Sequence, residues 1–399
     1  MDFSVARRRS SSGAEKSSGT SQLDAAINRK RVVVAGLGDA GVLAAIRLSR
    51  HADVVGISPK PALVSGQELG VRLSRPEDWA RDYWIPFDRF RRLDRVRTVH
   101  ATLTGVDLAA RTVFGRSDDG AITEAYDALV ISTGVANGFW RQPTLQSASE
   151  IGAGLRAAHD RLASATSVII VGGGAAAVSS AANMATTWPD KRIDLYFPGE
   201  RALGEYHPGI WKRIRGRLTD LGVGLHPGHR AVISNGFAGN EITSEPVSWS
   251  TGQPPASADA VLWAIGRVQP NTDWLPPELL DDRGFVRVTP DLRVPGHQGV
   301  FAVGDVAATD PLRSSARNRG DALVAHNIRA EFAGRKLRTF RTPGRRWGSL
   351  LGIQPNGLEV FFPTGRTFRL PSWAVDRVVM PWIVRWGMYR GVRENNPLR

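Results

Sequence analysis

The 399 residues are enough for two or three domains, contain no cysteine and sum to a formal charge of +14. The missing cysteine excludes disulfides, thiolate metal sites, iron–sulfur clusters and a CxxC redox pair. The charge sits at the ends, +4 over residues 1–31 and +10 over 335–399 around a neutral middle, a pattern suited to an anionic surface such as nucleic acid or membrane.

Residues 1–29 are basic and rich in Ser and Gly, lack the apolar run of a secretory signal, and are read as disordered. Val32 to Ala35 is a β-branched run suited to a buried parallel strand. Gly36-Leu37-Gly38-Asp39-Ala40-Gly41 follows, then a helical pattern to Arg50 and a second strand from Asp53 to Ile57. In such a strand–turn–helix unit, Gly36 makes the tight turn and Gly38 admits a pyrophosphate to the backbone. Gly41 lets helix and strand pack closely, and Asp39 and Ala40 open the helix whose amides face the phosphates. An acidic residue normally ends the second strand and holds a ribose hydroxyl. Ser58 stands there instead, with Lys60 in reach of a phosphate.

Tyr126 to Val135 reads as a strand ending in Ser132-Thr133-Gly134. A second unit then begins with a strand at Val168 to Val171 and the loop Gly172-Gly173-Gly174-Ala175-Ala176-Ala177, a GxGxxA variant in which Ala177 is small enough for close packing. Its helix runs to about Thr187 and its next strand from Ile193 to Phe197. Phe197 occupies the place of the expected acid. With Arg201 nearby, this leans toward NADPH or mixed nucleotide use. Val261 to Thr272 is a strand followed by a turn at Gly266-Arg267, and Gly299 to Ala307 a strand ending in Gly304-Asp305.

Taken in order, GxGxxG, STG, GGGxxA, the Gly-Arg turn with Pro270-Asn271, and Gly-Asp resemble the pyridine nucleotide-disulfide oxidoreductase superfamily over about residues 30–330. The resemblance implies an α/β fold, glutathione-reductase-like. A discontinuous FAD-binding domain (30–149 and 262–334) would hold an inserted NAD(P)H-binding domain (150–261), both Rossmann-like. It assigns FAD to Gly36, Gly38, Asp39, Ala40, Gly41, Ser58, Lys60, Leu103, Thr133, Gly134, Gly304 and Asp305. It assigns NADPH or NADH to Gly172, Gly174, Ala175, Ala177, Phe197, Arg201 and Gly266. Asp305 would meet the flavin's ribityl–phosphate region, and Leu103 the adenine through its backbone. The Arg- and aromatic-rich segment 63–97 is expected to pack by the flavin. The family's usual glutamate near the nicotinamide is Ser179 here, the one candidate catalytic position, and Asn183 replaces the next acid.

Residues 335–399 are expected to form a small module, a β-hairpin turning at Asn356-Gly357 and then a helix. Its layout is similar to the apoptosis-inducing-factor-like branch, which includes the ferroptosis suppressor, and to type II NADH dehydrogenases. Ser372 is a candidate N-cap, Pro381 a candidate kink, and Val375, Val378, Val379, Trp382, Ile383 and Trp386 share one face. That face packs either on the protein's own hairpin or on an anionic membrane through 371–393. No nucleic-acid fold is visible, and no metal site is expected; His226 and His229 read as loop residues. The expected reaction carries electrons from NAD(P)H through FAD to a quinone or other small acceptor, in the cytoplasm or peripherally at the inner face of the cell membrane. The alternatives are a soluble reductase of a protein carrier or metabolite, and a redox-inert or sensory FAD binder. Monomer and homodimer both stay open.

Overall fold

The computed structural model describes residues 29–64, 69–136, 143–234, 236–237, 239, 241–266, 268–309, 320–341 and 348–393. The basic segment 1–28 and Arg267 lie outside the described residues.

Val32 to Ala35 are fully buried and form the central strand, Arg31–Ala35, of a five-stranded parallel sheet. The order is Val300–Ala302, Ala128–Ile131, Arg31–Ala35, Asp53–Ser58, Val96–His100. A continuous apolar run is what a strand covered on both faces requires. Val32 and Val34 enter one core with the helices Asp39–Leu48 and Gly320–Phe332, while Val33 and Ala35 enter another beneath an antiparallel meander of Thr102–Asp107, Thr112–Ser117 and Gly120–Ala125.

A second sheet has the order Gly224–His226, Arg192–Tyr196, Ser167–Val171, Ala260–Trp263, all parallel, with Ile242–Thr243 antiparallel at the edge. The first sheet therefore takes strands from the chain before and after the second. Two connecting segments pair where they cross, Val135–Ala136 against Gln269–Pro270.

The C-terminal segment packs on both bodies. Leu350, Leu351 and Phe361 enter the core of the second sheet; Tyr389 and Val392 enter that of the first. Strands Ile353–Gln354, Gly357–Phe361 and Thr367–Leu370 make a three-stranded antiparallel sheet. Gln354 pairs with Gly357, so the turn falls on Pro355-Asn356, one residue earlier than expected. Gly357 instead takes a left-handed φ of +106° where an added Cβ would lie 1.9 Å from the Leu370 carbonyl oxygen.

The helix that follows also differs from expectation. Pro371 precedes it, and Ser372 already lies inside the turn Ser372–Ala374. Val375–Met388 is then a continuous π-helix through Pro381, not a kinked α-helix. The π-helix widens each turn to i→i+5, a register in which Pro381, lacking an N–H, is still a non-donor. The π-helix also rotates the stripe: Val375, Met380 and Tyr389 face inward, while Trp373, Val378, Trp382, Ile383 and Trp386 face out. Among the described residues no helix is long and apolar enough to cross a membrane.

Candidate functional site

At the carboxyl ends of the first sheet's strands a cleft of about 320 Å³ opens over the first glycine loop. Gly36 has a φ of +99°, and a Cβ on it would sit 2.6 Å from the Ser132 carbonyl oxygen. A Cβ on Gly41 would lie 1.9 Å from the Gly36 carbonyl oxygen, so strand, turn and helix meet with backbone alone between them. A Cβ on Gly38 would meet nothing within 4 Å, which leaves the helix N-terminus open toward the cleft. This is the geometry a pyrophosphate needs, and the residues present fit a dinucleotide.

Of the twelve residues assigned to FAD, eleven line this cleft: Gly36, Gly38, Asp39, Ala40, Ser58, Lys60, Leu103, Thr133, Gly134, Gly304 and Asp305. Gly41 packs behind it. Gly304, at φ +83°, brings its backbone beside Ala40, where an added Cβ would come within 3.1 Å of the alanine methyl. Thr133 Oγ1 donates to the Asn271 carbonyl at 2.7 Å, and Asn271 Nδ2 donates back to the Thr133 carbonyl at 3.0 Å. This reciprocal clasp closes the crossing between the two bodies.

Among the lining residues that the sequence reading did not assign to the site are Asn271, Asp273 and Trp274. Asn271 was within reach, since it ends the turn pattern already quoted. A further residue, Ser132, donates its Oγ to the carbonyls of Gly36 at 2.8 Å and Ala35 at 3.2 Å, fixing the glycine loop from below.

Ser58 and Lys60 behave differently from expectation. Ser58 Oγ accepts from the Lys60 backbone N–H at 3.2 Å and is buried. Lys60 Nζ turns to the Thr144 carbonyl at 2.9 Å and to Gln146 Oε1. Burial lowers the lysine to about 8, with Glu150 opposing the shift. Its ammonium thus ties the segment after residue 143 to the cleft wall.

In the second unit Gly172, at φ +146°, approaches the Ala264 carbonyl so closely that a Cβ would lie 2.1 Å from the oxygen, and Ala177 is fully buried just behind. Gly174 and Gly266 are open, with nothing within 4 Å of an added Cβ, and Ala175 begins the helix Ala175–Thr187. These glycines fit a second nucleotide.

Two assignments there do not hold as side-chain contacts. Phe197 is 2% exposed, edge-on to Trp211 at 5.4 Å, because the strand's alternation turns it into the core. Arg201 folds back on its own loop, its guanidinium donating to the Gly204 carbonyl at 3.0 Å and the Tyr206 carbonyl at 3.3 Å.

Ser179 is also covered. It is 3% exposed beneath the helix Leu69–Ser74, where a Cβ on Gly70 would lie 2.5 Å from the Ser179 carbonyl oxygen. Asn183 Nδ2 donates to the Ser179 carbonyl at 2.8 Å and the Leu351 carbonyl at 2.9 Å. Its Oδ1 accepts from Arg75 at 2.8 Å and Gln354 at 3.0 Å. The positions expected to carry carboxylates carry neutral side chains instead, within a hydrogen-bonded knot that joins the helices of residues 69–83, the second body and the C-terminal sheet.

His226 ends the strand Gly224–His226, and His229 lies in the loop that follows. His226 stacks on Tyr196 at 4.1 Å and its Nε2 is hydrogen-bonded to the Asp194 carboxylate at 2.8 Å, while His229 sits edge-on to Trp249. No metal-binding group of three or more His, Cys, Asp or Glu exists among the described residues.

Known proteins bear on this site. Residues 30–327 match the family model described as pyridine nucleotide-disulphide oxidoreductase. The chain is 24% identical to the oxidoreductase ptaL of Pestalotiopsis fici over 301 residues, 71% of this chain and 75% of that protein. It is 32% identical to the type II NADH:quinone oxidoreductase Ndh of Mycobacterium tuberculosis, over 136 residues that make up 31% of this chain and only 27% of that one. The structure of NDH2 from Plasmodium falciparum in complex with NADH is similar in fold, with a TM-score of 0.56 at 14% identity over 70% of this chain and 65% of that chain.

The chain belongs to the pyridine nucleotide-disulphide oxidoreductase family. The residues present fit FAD and a nicotinamide nucleotide, the cofactors of this family of oxidoreductases. When bound, FAD supplies the two-electron chemistry that connects nicotinamide oxidation to an acceptor. The chain's own part is to position: open helix termini for both pyrophosphates, and the Thr133–Asn271 clasp to hold the two sites together.

Proposed function

We propose that the protein transfers electrons from NAD(P)H, by way of FAD in the first cleft, to a quinone-type acceptor drawn from a lipid surface. NAD(P)H gives up a hydride and is oxidised. The quinone takes up two electrons and two protons, one of them from solvent. The observation that carries the lipid part of this reading is a row of tryptophans: Trp373, Trp382 and Trp386 are 62%, 64% and 58% exposed on the helical segment ending at the first body. Arg366, Arg369, Arg377 and Arg390 of the same C-terminal segment are exposed as well. Tryptophan at the interface and arginine toward anionic headgroups is the combination that favours shallow membrane insertion. The similarity of residues making up 31% of the chain to one protein named for NADH:quinone chemistry supports the acceptor class.

The test is NADH- and NADPH-dependent reduction of a short-chain quinone, with sedimentation on vesicles of phosphatidylglycerol and phosphatidylcholine. Wild type is expected to sediment with the anionic vesicles and to turn over the quinone. W373S/W382S/W386S should lose vesicle binding by at least about tenfold, since each buried tryptophan contributes on the order of 1.5–3 kcal/mol, while keeping its flavin. Wild type that ignores vesicles, or a triple variant that binds as well, contradicts the surface assignment.

A further inference from the structure

The glycine loop of the first cleft carries an oddity. Asp39 stands at the first position of the helix Asp39–Leu48 and lines the cleft, so a carboxylate shares the helix end that a pyrophosphate must occupy. Two anions compete there for the same amide donors and the same partial positive charge. The chain answers from 350 residues away. Tyr389, 5% exposed, donates its hydroxyl to Asp39 Oδ1 at 3.3 Å.

Tyr389 is held rigidly. Its ring is edge-on to fully buried Phe90 at 5.2 Å, and its backbone N–H donates to the Val384 carbonyl at 3.1 Å. The residues after it are fastened to the same body. Arg91 N–H donates to the Gly391 carbonyl at 3.1 Å, Arg393 N–H to the Arg89 carbonyl at 2.8 Å, and the Arg393 guanidinium pairs with Asp94.

We propose that Tyr389 is a positioning residue of the FAD site, its hydroxyl drawing the Asp39 carboxylate to the C-terminal side of the loop so that the helix terminus is left to the dinucleotide phosphates. The tryptophan-bearing helix thereby ends in a group that sets the cleft's affinity for FAD. The assignment rests on FAD occupying the first cleft, which wild-type binding measures separately.

The experiment is a double-mutant cycle in the full chain: wild type, Y389F, D39N and Y389F/D39N, each stripped of flavin and titrated with FAD by fluorescence quenching, with the melting temperature of each stripped form recorded. Y389F keeps the ring on Phe90 and removes only the donor. It is expected to weaken FAD binding by about tenfold, the worth of a hydrogen bond to a charged group. D39N removes the competing charge and is expected to bind FAD at least as tightly as wild type. The double variant should return to within about twofold of D39N. Because D39N cannot repair packing lost at position 389, that rescue separates positioning from mere structural support, even if Y389F melts lower. Y389F binding FAD like wild type overturns the proposal, as does a double variant as weak as Y389F or a wild type that takes up no FAD.

Discussion

Lys60 shows how a single residue can be legible in type and illegible in role. Its place after the second strand suggested a phosphate contact. Nothing in the sequence said that Thr144 and Gln146, over eighty residues away, would take its ammonium. A buried lysine lowered to about 8 from an ordinary 10.5 carries a sign that can be worked out. Between those two values the unfolded chain holds the proton more firmly than the folded one, so stability rises with pH through that window. Denaturation of wild type and K60M from pH 7 to 11 should differ by a curve that climbs between about 8 and 10.5, at no more than about 1.4 kcal/mol per pH unit. A flat difference would show that the ammonium is not buried. The glycines were easier to read. Gly36, Gly41 and Gly172 are each in backbone contact that no side chain can enter, and a GxGxxG between strand and helix announces that requirement directly. G41A must separate the helix from the Gly36 turn. It should cost about 1–3 kcal/mol, the usual range for overpacking, and release FAD, as unfolding and flavin-retention assays would register.

At the scale of elements, strands written in β-branched runs were legible to within a residue or two, since burial on both faces leaves one solution. The C-terminal helix was not. Its apolar positions fit a 3.6-residue period, yet the chain adopts the wider turn around Pro381 and exposes the tryptophans that the period would have aligned with Val375. Propensity arguments assume the commoner helix, and only tertiary anchors such as Tyr389 on Phe90 select the other. Ser179 was legible as a lost carboxylate but not as a covered one, because the covering helix Leu69–Ser74 comes from a segment without a motif. The close approach at Gly70 makes a prediction. G70V pushes a branched side chain against the Ser179 carbonyl and should loosen this contact, raising proteolytic cleavage within 69–84. Unchanged protease resistance would mean the two helices are free to separate.

Over the whole molecule, two nucleotide-binding sheets are joined by a pair of crossing strands, and the C-terminal module is clamped to both. The motif order made this architecture readable across residues 30–330, and the family match covers nearly the same span. The knot at Asn183 and the tether at Tyr389 depend on contacts between residues 171 and 350 positions apart, which no local pattern encodes. On the proposed function this assembly, with no carboxylate at 179, still passes a hydride from a nicotinamide to FAD, because that step requires alignment more than a protein base. Anaerobic absorbance titration of the purified protein with NADPH and then NADH tests it most directly. Visible flavin bands should bleach within seconds with at least one donor. Bands that persist at saturating concentrations of both would contradict it and leave a flavin-binding protein that does not turn over its nicotinamide.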